Sequence, residues 1–291
     1  MTEQADHDQP AEGPGSTDVR SGILAVIGAG VMGETVFSGL LRAGWDAGDI
    51  VVTARRPERS QELVERYGVR VVANTDAAAA ADVVLVAVKP QDISAVLDEI
   101  GPALRPGTLV ASLAAGVATD VIESHLPTGT PVVRVMPNTP AQVDEGMATL
   151  SGGTHTQPEQ VEQVAKLLSA TGQAVIVPEK YQDAVTAISG SGPAYLFFVV
   201  EAMIEAGVHL GLPRHTATEL AVQTMFGSAK LLKETGDHPT VLRERVTSPG
   251  GTTAAAIRVL EDHKVRAAFL GAMEAARDRS SALADAARET S

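Results

Sequence analysis

Cysteine is absent from this sequence, aromatic residues make up only 3% of it, and positive charge is scarce. Without cysteine there are no disulfides, no thiolate metal sites and no cysteine nucleophile, which fits a reducing, cytoplasmic compartment. The 23 Lys and Arg against 36 Asp and Glu leave a formal net charge of −13. A nucleic-acid partner would need a basic face, so that class is set aside, and the acidity reads as solubility. The seven histidines show no ligand spacing, so no metal is expected. No apolar run approaches a membrane span, so no membrane partner is expected either. The opening stretch MTEQADHDQPAEGPGSTDVR lacks both a basic and an apolar region. It reads as a disordered tail over 1–20 rather than a secretion signal.

Beyond that tail, short β-branched runs alternate with helical stretches. The strands expected are 23–27, 50–53, 69–72, 83–88, 108–113, 131–136 and 173–177. The helix candidate PERSQELVERYG carries Pro at its start and Gly at its end, the usual punctuation. Continuous apolar strands alternating with helices predict an α/β fold, a parallel sheet covered on both faces. After Pro178 the pattern is helical only, with apolar residues three and four apart. The expected division is a Rossmann-type doubly wound domain over 21–178 and an all-α domain over 179–291. AYLFFVVEAM has almost no polar side, so its helix is expected to bury against a partner subunit.

Gly28, Gly30 and Gly33 form G-x-G-x-x-G after a strand and at a helix start. The first permits a tight turn, the second the approach of a pyrophosphate, the third close helix–strand packing. NAD recognition would place a carboxylate at the end of the second strand, about 20 residues on. Here Ala54, Arg55, Arg56 and Pro57 follow the strand, with Arg59 beyond. Guanidinium pairs with phosphate as a fork, so the expected cofactor is NADPH, bound through Arg55 and Arg56, with NADH possible.

A second glycine loop, VTSPGGTTAAAIRVLEDH over 246–263, also runs into a helix. Unpaired amides at a helix start suit an anion. Three further stretches, AVKPQ (87–91), SLAAGV (112–117) and RVMPNTPAQVDEGMATL (134–150), accompany DAVTAISGSGPAYLFFVVEA (183–202). Together they resemble pyrroline-5-carboxylate reductases over nearly the whole chain from about residue 22. The resemblance implies reduction of 1-pyrroline-5-carboxylate to L-proline with NADPH or NADH, the last step of proline synthesis. It also implies helical domains interlaced into dimers, which often assemble into decamers.

Matching the family's motifs places Gly28, Ala29, Gly30, Val31, Met32 and Gly33 at the pyrophosphate and Asn74 at the adenosine half. Ala87, Val88, Lys89, Pro90, Ala114 and Ala115 would line the cofactor, with Asn138 and Thr139 near the nicotinamide. Lys89 either touches the cofactor or caps its turn. Glu179, Thr252 and Thr253 match positions contacting substrate or product. Arg245 stands where several relatives carry Asn.

A cyclic imine asks mainly for orientation at about 3–3.5 Å from the hydride donor and for exclusion of water. A hydroxyl near the ring nitrogen would complete the site, and Thr253 is the candidate, expected one turn into its helix. Ser248, Gly250, Gly251 and Thr252 would take the substrate's carboxylate, favoured by the helix dipole. The two loops of one site can come from one subunit or from two.

Two rival readings remain. A β-hydroxyacid-type dehydrogenase would resemble its relatives in carrying Lys and Asn on the first long helix after the sheet, and AISGSGPAYLFFVVEAMIEAG has neither. An NADP-binding sensor without turnover would show erosion of the second loop, which is intact.

Overall fold

The computed structural model describes residues 22–289, so the tail expected over 1–20 lies outside the described residues. The first half runs β1 (Leu24–Ile27), α1 (Val31–Arg42), β2 (Ile50–Val52), α2 (Pro57–Tyr67), β3 (Arg70–Val71), α3 (Asn74–Ala80), β4 (Val83–Val86) and α4 (Ile93–Ile100). It continues through β5 (Leu109–Ser112), α5 (Thr119–Ser124), β6 (Val132–Met136), β7 (Gly146–Gly152), α6 (Pro158–Leu168) and β8 (Gly172–Ile176). The strands form one sheet in the order β3-β2-β1-β4-β5-β6-β7-β8. All pairs are parallel except β6 with β7, where Val133 faces Gly152 and Met136 faces Thr149.

The strands read as continuously apolar because both faces are covered. Successive side chains point to opposite faces. Leu24, Val26, Val83 and Leu85 join the core beneath α1, α2 and α6, with Phe37, Leu40, Leu63 and Leu168. Ala25, Ile27, Val84 and Val86 join the other, beneath α3, α4 and α5, with Leu97, Ile100 and Ile122. Full burial of Phe37 contributes about 1.5–3 kcal/mol, and its ring meets Tyr67 edge-on at 5.1 Å between centroids. Helix α2 begins at Pro57 and ends on Gly68, whose φ of +68° suits a left-handed cap.

The expected strands appear, several trimmed at their ends, but β7 was not expected. Its sequence, GMATLSG, is poor in β-branched residues and opens on glycine. Gly146 is there for space: a Cβ would lie 2.7 Å from that of Ala141 and 2.8 Å from the carbonyl oxygen of Thr171.

From Glu179 onward the described chain is helical. A turn at Glu179–Tyr181 leads into α7 (Gln182–Val185), a π-helical turn (Thr186–Gly190), α8 (Gly192–His209), α9 (Arg214–Thr235), α10 (Pro239–Arg245), α11 (Thr252–Asp262) and α12 (Val265–Glu289). Helices α8 and α9 pack on each other; α12 returns to α7 and the π turn. The return is pinned where the Ser280 hydroxyl donates to Asp183 at 2.8 Å and Arg288 meets Asp120 at 3.3 Å.

The large apolar side chains of this half face outward: Phe197 is 67% and Phe198 72% exposed, and Leu196, Leu220 and Phe226 are exposed as well. One point corrects the sequence reading. The turn, α7, the π turn and α8 join into a single 31-residue helical stretch, Glu179–His209, long and apolar enough to cross a membrane by length and composition. The run was missed because no uninterrupted apolar segment of that length exists; Glu201 and Glu205 break it.

Candidate active site

In a sheet of this order, ligands bind at the strands' C-terminal ends where the direction of winding reverses, between β1 and β4. A cleft of about 670 Å³ opens there, within the range of small-molecule sites. The glycine loop forms its floor. Gly28 turns the chain at φ +91°, a conformation glycine adopts freely. Its amide donates to the Thr53 hydroxyl at 3.0 Å, and the Ala29 amide donates to the Thr53 carbonyl at 2.8 Å. A Cβ on Gly33 would collide with the Gly28 carbonyl oxygen, so the third glycine packs helix on strand. A Cβ on Gly30 would meet nothing within 4 Å. Gly30 is the N-cap of α1, with no side chain capping the helix amides. The open space above Gly30 and those amides fit a pyrophosphate.

Of the residues expected at the cofactor, Gly28, Ala29, Gly30, Val31, Arg55, Arg56, Asn74, Ala87, Val88 and Lys89 line this cleft. Asn74, at the start of α3, also donates to Glu99 at 2.9 Å. The others stand elsewhere. Met32 packs against the core beneath α1, and Gly33 sits under the loop. Pro90 opens a short turn beyond Lys89. Ala114 is buried in the core on the α3–α5 face, whereas Ala115 is exposed. Thr139 is exposed too. The Asn138 amide spans two elements, donating to the Ser189 carbonyl at 3.1 Å and accepting from the Met147 amide at 2.8 Å. Asn138 therefore ties the β6–β7 connection to the π turn.

Glu34, Thr53, Ala54, Arg59, Glu62, Asp92 and Val96 also line the cleft, and the sequence reading gave none of them a role there. Helical spacing was the available signal: Glu34 lies one turn beyond Gly30 on α1. Its carboxylate binds Arg59, accepts from Tyr67 at 2.7 Å and meets Arg66 at 3.3 Å. Burial alone would raise the Glu34 carboxyl. The hydrogen bonds from Tyr67 and Arg59 and the charges of Arg59 and Arg66 outweigh it and hold the group below its ordinary value.

Arg59 also meets Glu62 at 2.7 Å, and its guanidinium is thus occupied. Arg55 and Arg56 are held more loosely. The Arg55 side chain is 88% exposed, 3.6 Å from Asp92, and Arg56 forms no ion pair among the described residues. Two exposed guanidinium groups at the end of β2, one of them in a 3.6 Å pair with Asp92, fit a 2′-phosphate.

The second loop has the same local design in different surroundings. Gly250 turns at φ +70°, the Gly251 amide donates to the Ser248 carbonyl at 3.0 Å, and Gly251 caps α11 without a side chain. Thr252 and Thr253 are the first and second residues of α11. Thr253 is thus at the helix start rather than one turn in, because the helix begins directly after the glycines. Ser248, Gly250 and Thr252 are exposed, and no residue of this loop lines the cleft of its own chain. Arg245 is turned to Asp237 at 2.5 Å. Glu179 faces the sheet: it accepts from the Thr119 amide and hydroxyl at 2.8 and 2.5 Å, and meets Arg134 at 3.3 Å.

Two family models match the chain. Residues 179–283 match the family model described as pyrroline-5-carboxylate reductase dimerisation, and residues 23–116 one described as NADP oxidoreductase, coenzyme F420-dependent. A pyrroline-5-carboxylate reductase of Corynebacterium melassecola is 50% identical over 264 residues, 89% of this chain and 98% of its own. The solved structure of a pyrroline-5-carboxylate reductase from Coxiella burnetii is 38% identical, with a TM-score of 0.87 over 90% of this chain and 98% of that one. That of Plasmodium falciparum pyrroline carboxylate reductase with NADP bound is 28% identical, with a TM-score of 0.81 over 91% and 99%. An N-terminal Rossmann-type sheet, a helical dimerisation region and half-identity along nearly the whole length place this chain in the pyrroline-5-carboxylate reductase family.

Proposed function

We propose that this chain reduces 1-pyrroline-5-carboxylate to L-proline with NADPH, NADH serving as an alternative donor, in the cytoplasm. The observation that carries the reading is the open, glycine-floored cleft under the start of α1, in a chain half-identical to a pyrroline-5-carboxylate reductase. The division into 21–178 for the cofactor and 179–291 for substrate and dimerisation is part of the same proposal.

Gly28 to Gly33 hold the pyrophosphate, Arg55 and Arg56 the 2′-phosphate, and Asn74 with Ala87 to Lys89 the flanks of the cleft. When bound, the reduced nicotinamide supplies the hydride. The imine carbon gains it, the C=N electron pair moves to the ring nitrogen, and that nitrogen, protonated from solvent before and after the transfer, ends as the ammonium of proline. The amides of Thr252 and Thr253, presented by the turn of Ser248, Gly250 and Gly251, take the carboxylate, where the helix dipole contributes about 1–2 kcal/mol when partly buried. The Thr253 hydroxyl holds the ring nitrogen in line. Glu179 contributes to the substrate side.

The second loop does not reach the cleft of its own chain, and the apolar faces of α8 and α9 lie open. We therefore place the loop of one subunit over the cleft of its partner in an interlaced dimer. The exposed apolar face of α8, within the stretch Glu179–His209, is covered by that partner, not by lipid.

Turnover is tested by the loss of reduced-nicotinamide absorbance when 1-pyrroline-5-carboxylate is added with NADPH and then with NADH, proline being identified as product. Thr253→Ala is expected to lower kcat about a hundredfold without loss of fold. No turnover with either cofactor would contradict the function, and unchanged kinetics would remove Thr253 from the mechanism.

A further inference from the structure

Arg134 carries a full charge into the interior of the sheet and has no part in the reaction as described so far. It sits in the middle of β6, opposite Ser112 of β5 and Ser151 of β7. Its neighbours Val133 and Val135 point into the core under α1 and α6, so Arg134 points to the opposite face, where α5 starts. Only 5% of it is exposed. A buried guanidinium persists only when paired.

Its partners both come from the first turns of the helical half. One nitrogen meets Glu179 at 3.3 Å and another meets Asp183 at 4.0 Å. Each carboxylate is tied further. Glu179 accepts from the amide and hydroxyl of Thr119 at the start of α5. Asp183 accepts from Ser280 of α12 at 2.8 Å. One cation thus joins the sheet, the start of the helical half and, through Asp183, the long terminal helix.

We propose that Arg134 is a positioning residue for the reductase. By holding Glu179 and Asp183 together it fixes where the helical half leaves the sheet, and so where Glu179 stands toward the substrate. This rests on the assignment of Glu179 to the substrate made above. Guanidinium is a planar fork able to serve two carboxylates at once, whereas an ammonium is a single point charge. Arg134→Lys therefore keeps the charge and loses the geometry. A displacement of about 1 Å is enough to cost up to a hundredfold in rate.

The test compares wild type, Arg134→Lys, Arg134→Gln and Glu179→Gln in the full-length protein. It measures kcat and KM for 1-pyrroline-5-carboxylate, Kd for NADP by titration, and the folded fraction by thermal unfolding. Arg134→Lys is expected to lower kcat/KM for the imine at least tenfold per folded molecule, with Kd for NADP within twofold of wild type. Arg134→Gln is expected to lose more, and Glu179→Gln to raise the imine KM. Arg134→Lys with wild-type kcat/KM per folded molecule would overturn the proposal and leave the reductase reading intact. Equal losses in NADP binding and imine turnover would overturn it too, since a general loosening of the fold would then account for both. A wild-type imine KM in Glu179→Gln would remove Glu179 from the substrate and the proposal with it. Failure of the reductase reading shows separately, as absence of turnover in the wild type.

Discussion

Around Gly28 to Gly33 the chain is packed on every side but one; around Ser248 to Gly251 it is bare. The first loop is held by Thr53, floored by β1 and β4 and left open only above Gly30. The second repeats the device, a left-handed glycine followed by an uncapped helix start, with no cleft wall facing it among the described residues. The same contrast separates the two halves. The sheet buries its apolar side chains in two cores, whereas α8 and α9 bury chiefly Ala217 and Ala221 and leave their phenylalanines out. One half buries its apolar side chains within a single chain; the other, which matches a dimerisation family model, leaves them exposed.

The contrast predicts that the largest effect comes from a residue remote from the cleft. Phe198→Glu, at a side chain 72% exposed in the single chain, is expected to give monomers by analytical ultracentrifugation and to abolish turnover. Retention of the dimer would mean that this face is not the interface.

Next in size is Gly30→Glu. Nothing crowds a Cβ there, so the fold is expected to survive. The carboxylate would stand where the pyrophosphate belongs and reduce NADPH affinity by about a hundredfold or more, readable by fluorescence titration. A near-normal affinity would move the pyrophosphate away from the start of α1.

Smaller and more selective is Arg55→Ala with Arg56→Ala. Loss of charge-assisted contacts is expected to raise KM for NADPH about 10- to 100-fold while leaving KM for NADH nearly unchanged. Equal effects on both cofactors would contradict the 2′-phosphate assignment.

The smallest effect is a matter of pH. Glu34 titrates below its ordinary value in the folded protein, so its contribution to stability is present above the unfolded value of 4.5 and is lost as pH falls through the lowered one. Glu34→Gln is therefore expected to flatten the fall of Tm in that acid range, measured by thermal unfolding. An unchanged acid limb would mean that the ion cluster contributes nothing to stability.

Much of this was legible in sequence, and the failures share a cause. Strand–helix alternation gave the sheet, and G-x-G-x-x-G gave the cleft, because both depend on local spacing. Strand β7 was hidden because Gly146 answers to crowding from Ala141 and Thr171, which only the fold brings near. Asn138 was matched to the nicotinamide by motif; that its amide also binds Ser189 and Met147, partners 51 and 9 residues away, shows only in the fold. Arg134 stood at the head of a quoted motif without a role, since its charge becomes conspicuous only once burial is known. Glu34 and Arg59 were passed over for the same reason: their partnership joins α1 to α2.

The central claim, that one subunit's second loop completes its partner's cleft, is tested most directly by complementation. Gly30→Glu spoils the cleft and Thr253→Ala the second loop, so each homodimer is expected to be nearly inactive. When the two are co-expressed in equal amounts, half the dimers are mixed. If the site is shared, each mixed dimer holds one site with both defects and one with neither, giving about a quarter of wild-type turnover. No activity above that of the parents would show that both loops of a site belong to one chain.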